Sequence, residues 1–583
     1  MKRLKIREII GVLLIVVMLL SIISCTKKPA AKNADSSNWS EILTEELNDD
    51  PLPDYERPDE TGRTWYQIFV YSFRDGNGDG IGDLTGVTAS LDYIKNLGFD
   101  GIWLSPIHPS TTYHKYDVKD YLSIDPEYGT MEDFDALMKK CDELGLQVLL
   151  DLVLNHTSDE HPWFSEHPEY YHIADAPGNG NWKQLSNGKF YECQFWDKMP
   201  DLDLSNVALR NEFENIMKYW LDKGVAGFRL DAAKEYESGN KTENIEILKW
   251  VNETTKKIKP DAYLVAEDWD TSSGLYEYYQ SGIDSFFAFP FALSDGPVAA
   301  LLLQSPTKIS DYLNKVKEAQ NAMIEAAPEN AKDQVTLAPF FTNHDNPRSA
   351  GFMRRDDYLI KSAWGLTLTM PGDAFVYYGE ELGMSGSGKD ENKRAPMYWF
   401  EDESAPGMTK GPSGMEKQEN TFGSATSQAG DENSILSYLR EAVRLRAKYP
   451  AIGRGAILNH AVSVSASDME AVKISELPED KNGTERSGTY LGEEPATGEV
   501  NLESAAGKVG AITKIYDGKA ITLIYNMSCA KASVDIEKVL ADYTVSSSKP
   551  PSKLGDYLSA TGMEVRQNGS TLELPPYAIA VVE

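Results

Sequence analysis

From Trp65 onward, short apolar runs rich in β-branched and aromatic residues alternate with segments whose apolar positions recur every three or four residues. The runs predict strands at Trp65–Phe73, Gly101–Pro106, Gln147–Val153, Gly227–Leu230, Tyr263–Glu267, Ser285–Pro290, Leu337–Asn343 and Ala374–Gly379. The helical pattern is plainest over Asn206–Lys223, where Leu209, Phe213, Ile216, Met217, Trp220 and Leu221 fall on one stripe. Eight strands, each followed by a helix or a long excursion, meet the requirement of an α/β fold of the (β/α)₈ barrel type. A doubly wound open sheet is the alternative, but no glycine-rich phosphate loop opens any of the helices.

Two stretches interrupt the alternation. Residues 155 to about 205 are rich in aromatics, Gly, Asn, Pro and His and carry no long helical period. So long an irregular stretch inside a compact unit predicts a small inserted domain. A second long loop, Met384 to Gln428, precedes a final helix at Ser434–Tyr449. The barrel and its insert thus span 61–455. Beyond Gly455 the pattern changes to β-prone runs at Ala471–Ile474, Ala511–Tyr516, Ala520–Tyr525 and Ala578–Val582, separated by turn-formers. That predicts an antiparallel β-sandwich over 456–583.

The N-terminus and the composition add a location. Lys2, Arg3, Lys5 and Arg7 precede an apolar run from Ile9 to Ile23, shorter than the roughly 20 residues of a membrane-spanning helix. Ile22-Ile23-Ser24-Cys25 resembles a lipobox, the signal at which cleavage leaves a lipid-bearing cysteine as the first mature residue. A plain signal peptide and an uncleaved anchor are the alternatives, and all three export the chain. The expectation is therefore a signal peptide over 1–25, lipidation at Cys25, and attachment to the membrane by that lipid alone, facing the outside or the periplasm. Residues 26–60, rich in Lys, Ala, Asp, Ser, Glu and Pro, read as a tether. The formal charge of −33 argues against nucleic acid or an anionic membrane surface as a partner. After Cys25 only Cys141, Cys193 and Cys529 remain, so at most one disulfide can form.

The candidate chemistry gathers at predicted strand ends. Asp75, Asn77, Asp79, Ile81 (through its carbonyl) and Asp83 offer oxygen at every second position of a glycine-rich loop, which suits Ca²⁺. The loop is not an EF-hand, because its twelfth position is Gly86 and a strand precedes it. Tyr116 and Asp117 follow the second strand, where a ring can pack against a sugar and a carboxylate can hold hydroxyls; in isolation a core tyrosine is the better reading of Tyr116. The third strand places Asp151, Val153 and Asn155 on one face, with His156 beyond its tip. The fourth ends in Arg229 and Asp231, the fifth in Glu267, and the seventh in His344 and Asp345. One Arg–Asp strand tip is commonly a surface salt bridge. Three acids at C-terminal strand ends, where barrel active sites sit, form a constellation. Retaining glycoside hydrolysis needs one ionised carboxylate and one protonated acid about 5–5.5 Å away. Arg229 favours an ionised Asp231, and burial beside a second carboxylate suits Glu267 as the acid.

In combination these segments resemble the signature regions of the α-amylase family of glycoside hydrolases over roughly Arg63 to Gly455. The resemblance implies a (β/α)₈ barrel, a domain B at about 155–205 and a C-terminal β-sandwich. It implies Asp231 as nucleophile, Glu267 as general acid/base and Asp345 as transition-state stabiliser. Arg229, His156 and His344 would line the −1 sugar subsite, with Tyr116 as its stacking platform. Lys234 would keep a cation on the leaving-group side, and the Asp75–Asp83 loop resembles the calcium site of the oligo-1,6-glucosidase-like branch. Met199-Pro200-Asp201-Leu202-Asp203 falls between two variants of a further signature, and Lys234-Glu235 replaces the Lys-His found after the nucleophile in many endo-amylases. The expected activity is endo-hydrolysis of α-1,4 bonds in starch, maltodextrin and malto-oligosaccharides by a monomer. An α-glucosidase, a neopullulanase-like hydrolase or a glucanotransferase with the same triad are the alternatives; a non-catalytic glucan-binding lipoprotein is a more remote one.

Overall fold

The computed structural model describes residues 62–304, 307–546 and 548–583; Cys25, the signal segment and the tether lie outside them. Eight parallel strands surround one axis: β1 Thr64–Ile68, β2 Gly101–Leu104, β3 Gln147–Leu152, β4 Gly227–Leu230, β5 Tyr263–Ala266, β6 Ser285–Phe287, β7 Thr336–Ala338 and β8 Ala374–Tyr377. Neighbours in sequence pair in register around the sheet, and β1 also pairs with β8. Between β7 and β8, the Asp373 N–H donates to the Leu337 carbonyl and the Phe375 N–H to that of Pro339, which closes the ring.

Seven of the eight strands are shorter than the apolar runs predict, and three of them shorten for a clear local reason. The run from Trp65 leaves the sheet at Phe69 and continues as a short buried helix, Val70–Phe73, so both of its faces are apolar without being strand. β7 stops before Pro339, which has no N–H for the ladder. β6 ends at Phe287, and the chain turns so that Phe289 still packs in the barrel interior. The helix Val207–Asp222 matches its stripe; Asn206 caps it, its side chain accepting from the N–H groups of Ala208 and Leu209.

Side chains alternate along each barrel strand, so every second residue points to the axis. The lower layer is apolar: Trp65, Trp103, Leu149, Val265, Phe287, Ala338 and Phe375. One step nearer the C-terminal ends the interior turns polar, with buried Gln67, Asp151 and Arg229. The register of β3 on β4 sets Asp151 directly beside Arg229. A polar layer over an aromatic floor is what makes this mouth a site.

The insert after β3 holds a short helix, Pro162–Glu166, and a three-stranded antiparallel sheet of Ile173–Ala174, Phe190–Glu192 and Trp182–Gln184. Beyond the last barrel helices, antiparallel sheets of five and four strands form the C-terminal unit. The fully buried Lys514 joins that unit to the barrel, donating to the carbonyls of Thr369 at 2.7 Å and Ile452 at 2.5 Å. Cys141, Cys193 and Cys529 are free thiols.

Gly227 begins β4 where the backbones crowd most closely. A Cβ there would meet the Tyr263 carbonyl oxygen at 1.8 Å. Gly227→Ala should therefore push β4 away from β5 and cost about 2 kcal/mol or more, read as a lower urea midpoint at unchanged slope. An unchanged midpoint would show that the strand pair has slack.

Candidate active site

The site is built on Arg229. Its guanidinium is 1% exposed and lies over the Trp103 ring at 5.2 Å. Nη1 donates to Asp151 Oδ1 at 2.8 Å and to Asp231 Oδ1 at 2.5 Å, while Nη2 lies 2.9 Å from Glu267 Oε1. The last contact is an ion pair without hydrogen-bond alignment, and Oε1 has no hydrogen-bond partner. One cation thus meets three carboxylates in a water-poor mouth. They cannot all be ionised cheaply.

The proton has a preferred seat. Burial raises Glu267 to about 8; Arg229 pulls down, and Asp231 and Asp345 push further up. Burial also raises Asp151, to about 7. That carboxylate, however, accepts from Arg229, from the Tyr116 hydroxyl at 2.9 Å and from Trp103 Nε1 at 3.3 Å, which favours its charged form. Glu267 and Asp151 titrate together, with Glu267 holding its proton to the higher pH.

The tips of β4 and β5 are stitched together. The Glu267 N–H donates to the Leu230 carbonyl at 2.9 Å, and the Ala233 N–H to the Glu267 carbonyl at 2.8 Å. Between them Ala232 adopts a left-handed φ of 47°, a conformation that costs a non-glycine residue roughly 1–2 kcal/mol. Its N–H points to Glu267 Oε2 at 3.3 Å. The strained turn fixes Asp231 and Glu267 relative to one another.

Asp345 is arranged oppositely. Burial pushes its carboxyl up, yet His344, Arg394 and Arg229 together hold it well below the usual carboxylate range. Arg394 Nη2 donates to Asp345 Oδ1 at 2.7 Å, Nη1 to the Tyr113 hydroxyl at 2.9 Å and Nε to the His344 carbonyl at 3.1 Å. Burial drives His344 down to about 3, so its ring is neutral at working pH. Gln67 Nε2 lies 2.8 Å from His344 Nδ1; with that nitrogen accepting, Nε2–H faces the Tyr116 hydroxyl at 2.7 Å and Asp345 at 3.1 Å.

A cavity of about 520 Å³ opens onto Asp231, Glu267 and Asp345. Tyr116 and His156 also line it, so the structure brings together five of the residues expected at the sugar site. His156 Nε2 is buried without a partner, and burial lowers its pKa. Four expectations need correction. Arg229 and His344 do not form the cavity wall but lie beneath it, Arg229 Nη1 donating to Asp151 and Asp231 and the His344 ring facing Gln67, Tyr116 and Asp345. Asp117 does not face sugar: it accepts from the Thr111 N–H at 2.9 Å and from the hydroxyls of Ser110, Thr111 and Thr112, which folds its own loop. Lys234 stands outside the lining, with Nζ on the Trp269 carbonyl at 2.7 Å.

Several site residues escape a reading by strand tips. Asp151 shares the inward phase of β3, a signal that pairing with Arg229 would have revealed. Arg394, Lys393 and Asp390 come from the loop after β8, and Phe195, Trp196 and Met199 from the insert; Trp269 follows β5. Except for Met199, which opens the Met199–Asp203 signature, nothing in the spacing of these loop residues points to the cavity. In the Asp75–Asp83 loop, Asp75 accepts from the N–H groups of Gly78 and Gly80, Asp83 from those of Gly76, Asn77 and Gly86, and Asp79 from that of Ile81. The backbone curls round an all-oxygen donor set that suits a hard cation.

Comparison with known proteins agrees with this geometry. The α-amylase catalytic-domain family model matches residues 67–455. Alpha-amylase 3 of Dictyoglomus thermophilum is 38% identical over 415 residues, 69% of this chain and 80% of the relative. Oligo-1,6-glucosidase of Parageobacillus thermoglucosidasius is 30% identical, over 67% of this chain and 84% of the relative. Among solved structures, Eubacterium rectale Amy13B superposes with a TM-score of 0.76 at 36% identity, covering 89% of this chain and 95% of that one. The α-amylase from H. orenii does so with a TM-score of 0.70 at 28% identity, covering 90% and 100%. The acids gathered on Arg229 at the mouth of an eight-stranded barrel are thus those of a glycoside hydrolase, and the chain belongs to the α-amylase family.

Proposed function

We propose that the chain is an endo-acting α-amylase that cleaves α-1,4-glucosidic bonds with retention. The observation that carries this reading is the division of charge around Arg229: Asp231 takes a 2.5 Å charge-assisted bond, while Glu267 Oε1 lacks one. Asp231 attacks the anomeric carbon as Glu267 protonates the departing glycosidic oxygen, giving a covalent glycosyl-enzyme. Glu267, now ionised, takes a proton from water as that water cleaves the intermediate. Asp345, held ionised by its cations, faces the positive charge that develops on the sugar. Tyr116 offers its ring to the sugar, and His156 Nε2 is poised for a hydroxyl. Endo action is supported by the exposed aromatics at the cavity: Phe195 is 53% exposed, and Trp196 and Trp269 are each 40% exposed. They flank the acids from the insert and from the barrel, a walled cleft rather than a closed pocket.

Early digests of soluble starch should contain malto-oligosaccharides of mixed length, and Asp231→Asn should lower cleavage on the order of 10³-fold or more. Glucose as the sole early product would instead mark an exo-glucosidase. A variant cleaving at the wild-type rate would remove Asp231 from the nucleophile's role.

The acid form of Glu267 is present below its pKa of about 8 and is lost above it. Consequently kcat/KM should fall about tenfold per pH unit on the alkaline side of that value. A flat profile through that range would assign the proton elsewhere.

We further propose that Asp75, Asn77, Asp79, the Ile81 carbonyl and Asp83 hold Ca²⁺. The ion would offset the loop's carboxylates and fasten the turn beneath Lys410, whose N–H donates to the Gly80 carbonyl at 2.8 Å. A ligand bound by the native state alone at a hundredfold excess over its Kd adds about 2.7 kcal/mol. Chelation should therefore lower Tm by a few degrees, with recovery on added Ca²⁺ and little response in Asp79→Asn. Equal melting with chelator and with Ca²⁺ would exclude the site.

A further inference from the structure

A second group of metal-ligating side chains lies outside the active-site cavity, where the insert meets the barrel. His172 precedes the strand Ile173–Ala174, Asp203 leads into the helix Val207–Asp222, and Glu237 belongs to the turn after β4. One ligand atom from each lies within 4.8 Å of the other two, and all three residues are partly exposed. Backbone bonds seat them independently. The His172 N–H donates to the Asp201 carbonyl at 3.1 Å, the Asp203 N–H to the Tyr170 carbonyl at 2.8 Å, and the Glu237 N–H to Asn244 Oδ1 at 2.7 Å.

The three side chains do not hydrogen-bond one another, although Asp203 Oδ1 accepts from the Ser205 N–H at 3.0 Å and from its hydroxyl at 2.5 Å. His172 Nε2 is 3.6 Å from Glu237 Oε1, outside hydrogen-bond range. Among the described residues, no lysine or arginine ion pair neutralises Asp203 or Glu237. The position carries surplus negative charge and has a solvent-facing side.

The donor set selects the cation. Ca²⁺ and Mg²⁺ take shells of six or more oxygens, whereas one imidazole nitrogen and two carboxylate oxygens suit Zn²⁺ and its first-row neighbours. We propose that His172, Asp203 and Glu237 bind a divalent transition-metal ion of the Zn²⁺ type. Water fills the remaining position, and the ion clamps the insert to the turn that carries Lys234 and Glu235.

The test is calorimetric titration of the calcium-loaded full chain with ZnCl₂. One Zn²⁺ per chain is expected. His172→Ala should weaken it at least about tenfold, since loss of an outer-shell partner alone can reach that range. Glu237→Gln, which preserves shape, should weaken it likewise, whereas Asp79→Asn in the calcium loop should leave it unchanged. Zn²⁺ should also raise the Tm of the wild type and not that of Glu237→Gln. No Zn²⁺ binding, wild-type affinity in both ligand variants, or displacement of Zn²⁺ by an equal concentration of Ca²⁺ would each overturn the proposal.

Discussion

One buried cation organises the catalytic mouth. Arg229 cannot be deprotonated at any pH the protein meets and is fully enclosed by the barrel, so its charge must be matched from within. Three carboxylates do so from three strands. Because three negative charges exceed one positive charge, a proton has to remain in the set, and hydrogen bonding decides where. Asp151 receives three donors and Asp231 a short one, whereas Glu267 Oε1 receives none that is aligned. On the proposed reading, the difference between nucleophile and acid follows from the charge-assisted bond that Asp231 receives and Glu267 lacks, not from residue type.

A second cation completes the arrangement from outside the barrel. Arg394, on the loop after β8, binds Asp345, Tyr113 and the His344 carbonyl together. Asp345 thus stays ionised a short way from a carboxyl that stays protonated. Neutral His344 links the two halves through Tyr116, whose hydroxyl also touches Asp151. A charged imidazole in that place would disturb both acids, and its burial prevents it. The layer below is equally consequential: Trp103 carries Arg229 on its face and donates to Asp151, so the aromatic floor is part of the electrostatics.

Much of this could be read along the chain. Eight apolar runs and their strand-tip acids located Asp231, Glu267 and Asp345, and the helical stripe at Leu209–Leu221 matches its helix. The errors share one cause. Periodicity reports whether a side chain is buried, but not what it touches. Asp117 had the right type and place for a sugar ligand, yet three neighbouring hydroxyls claim its oxygens. Arg229 and His344 belong to the site but lie a layer too deep to wall it. The run from Trp65 to Phe73 stayed apolar through a change from strand to helix, because both segments are buried.

The sequence by itself determined the barrel, its interruptions and the three acids at strand ends, since a two-residue alternation closing into a cylinder leaves inward tips only at its mouth. Tertiary structure alone decided the charge states, the loops that wall the cleft and the meeting of His172, Asp203 and Glu237. Those depend on the desolvation of each group and on donors that residues far apart in the chain bring within a few ångströms. Such distances follow from the closed fold and leave no local pattern in the chain.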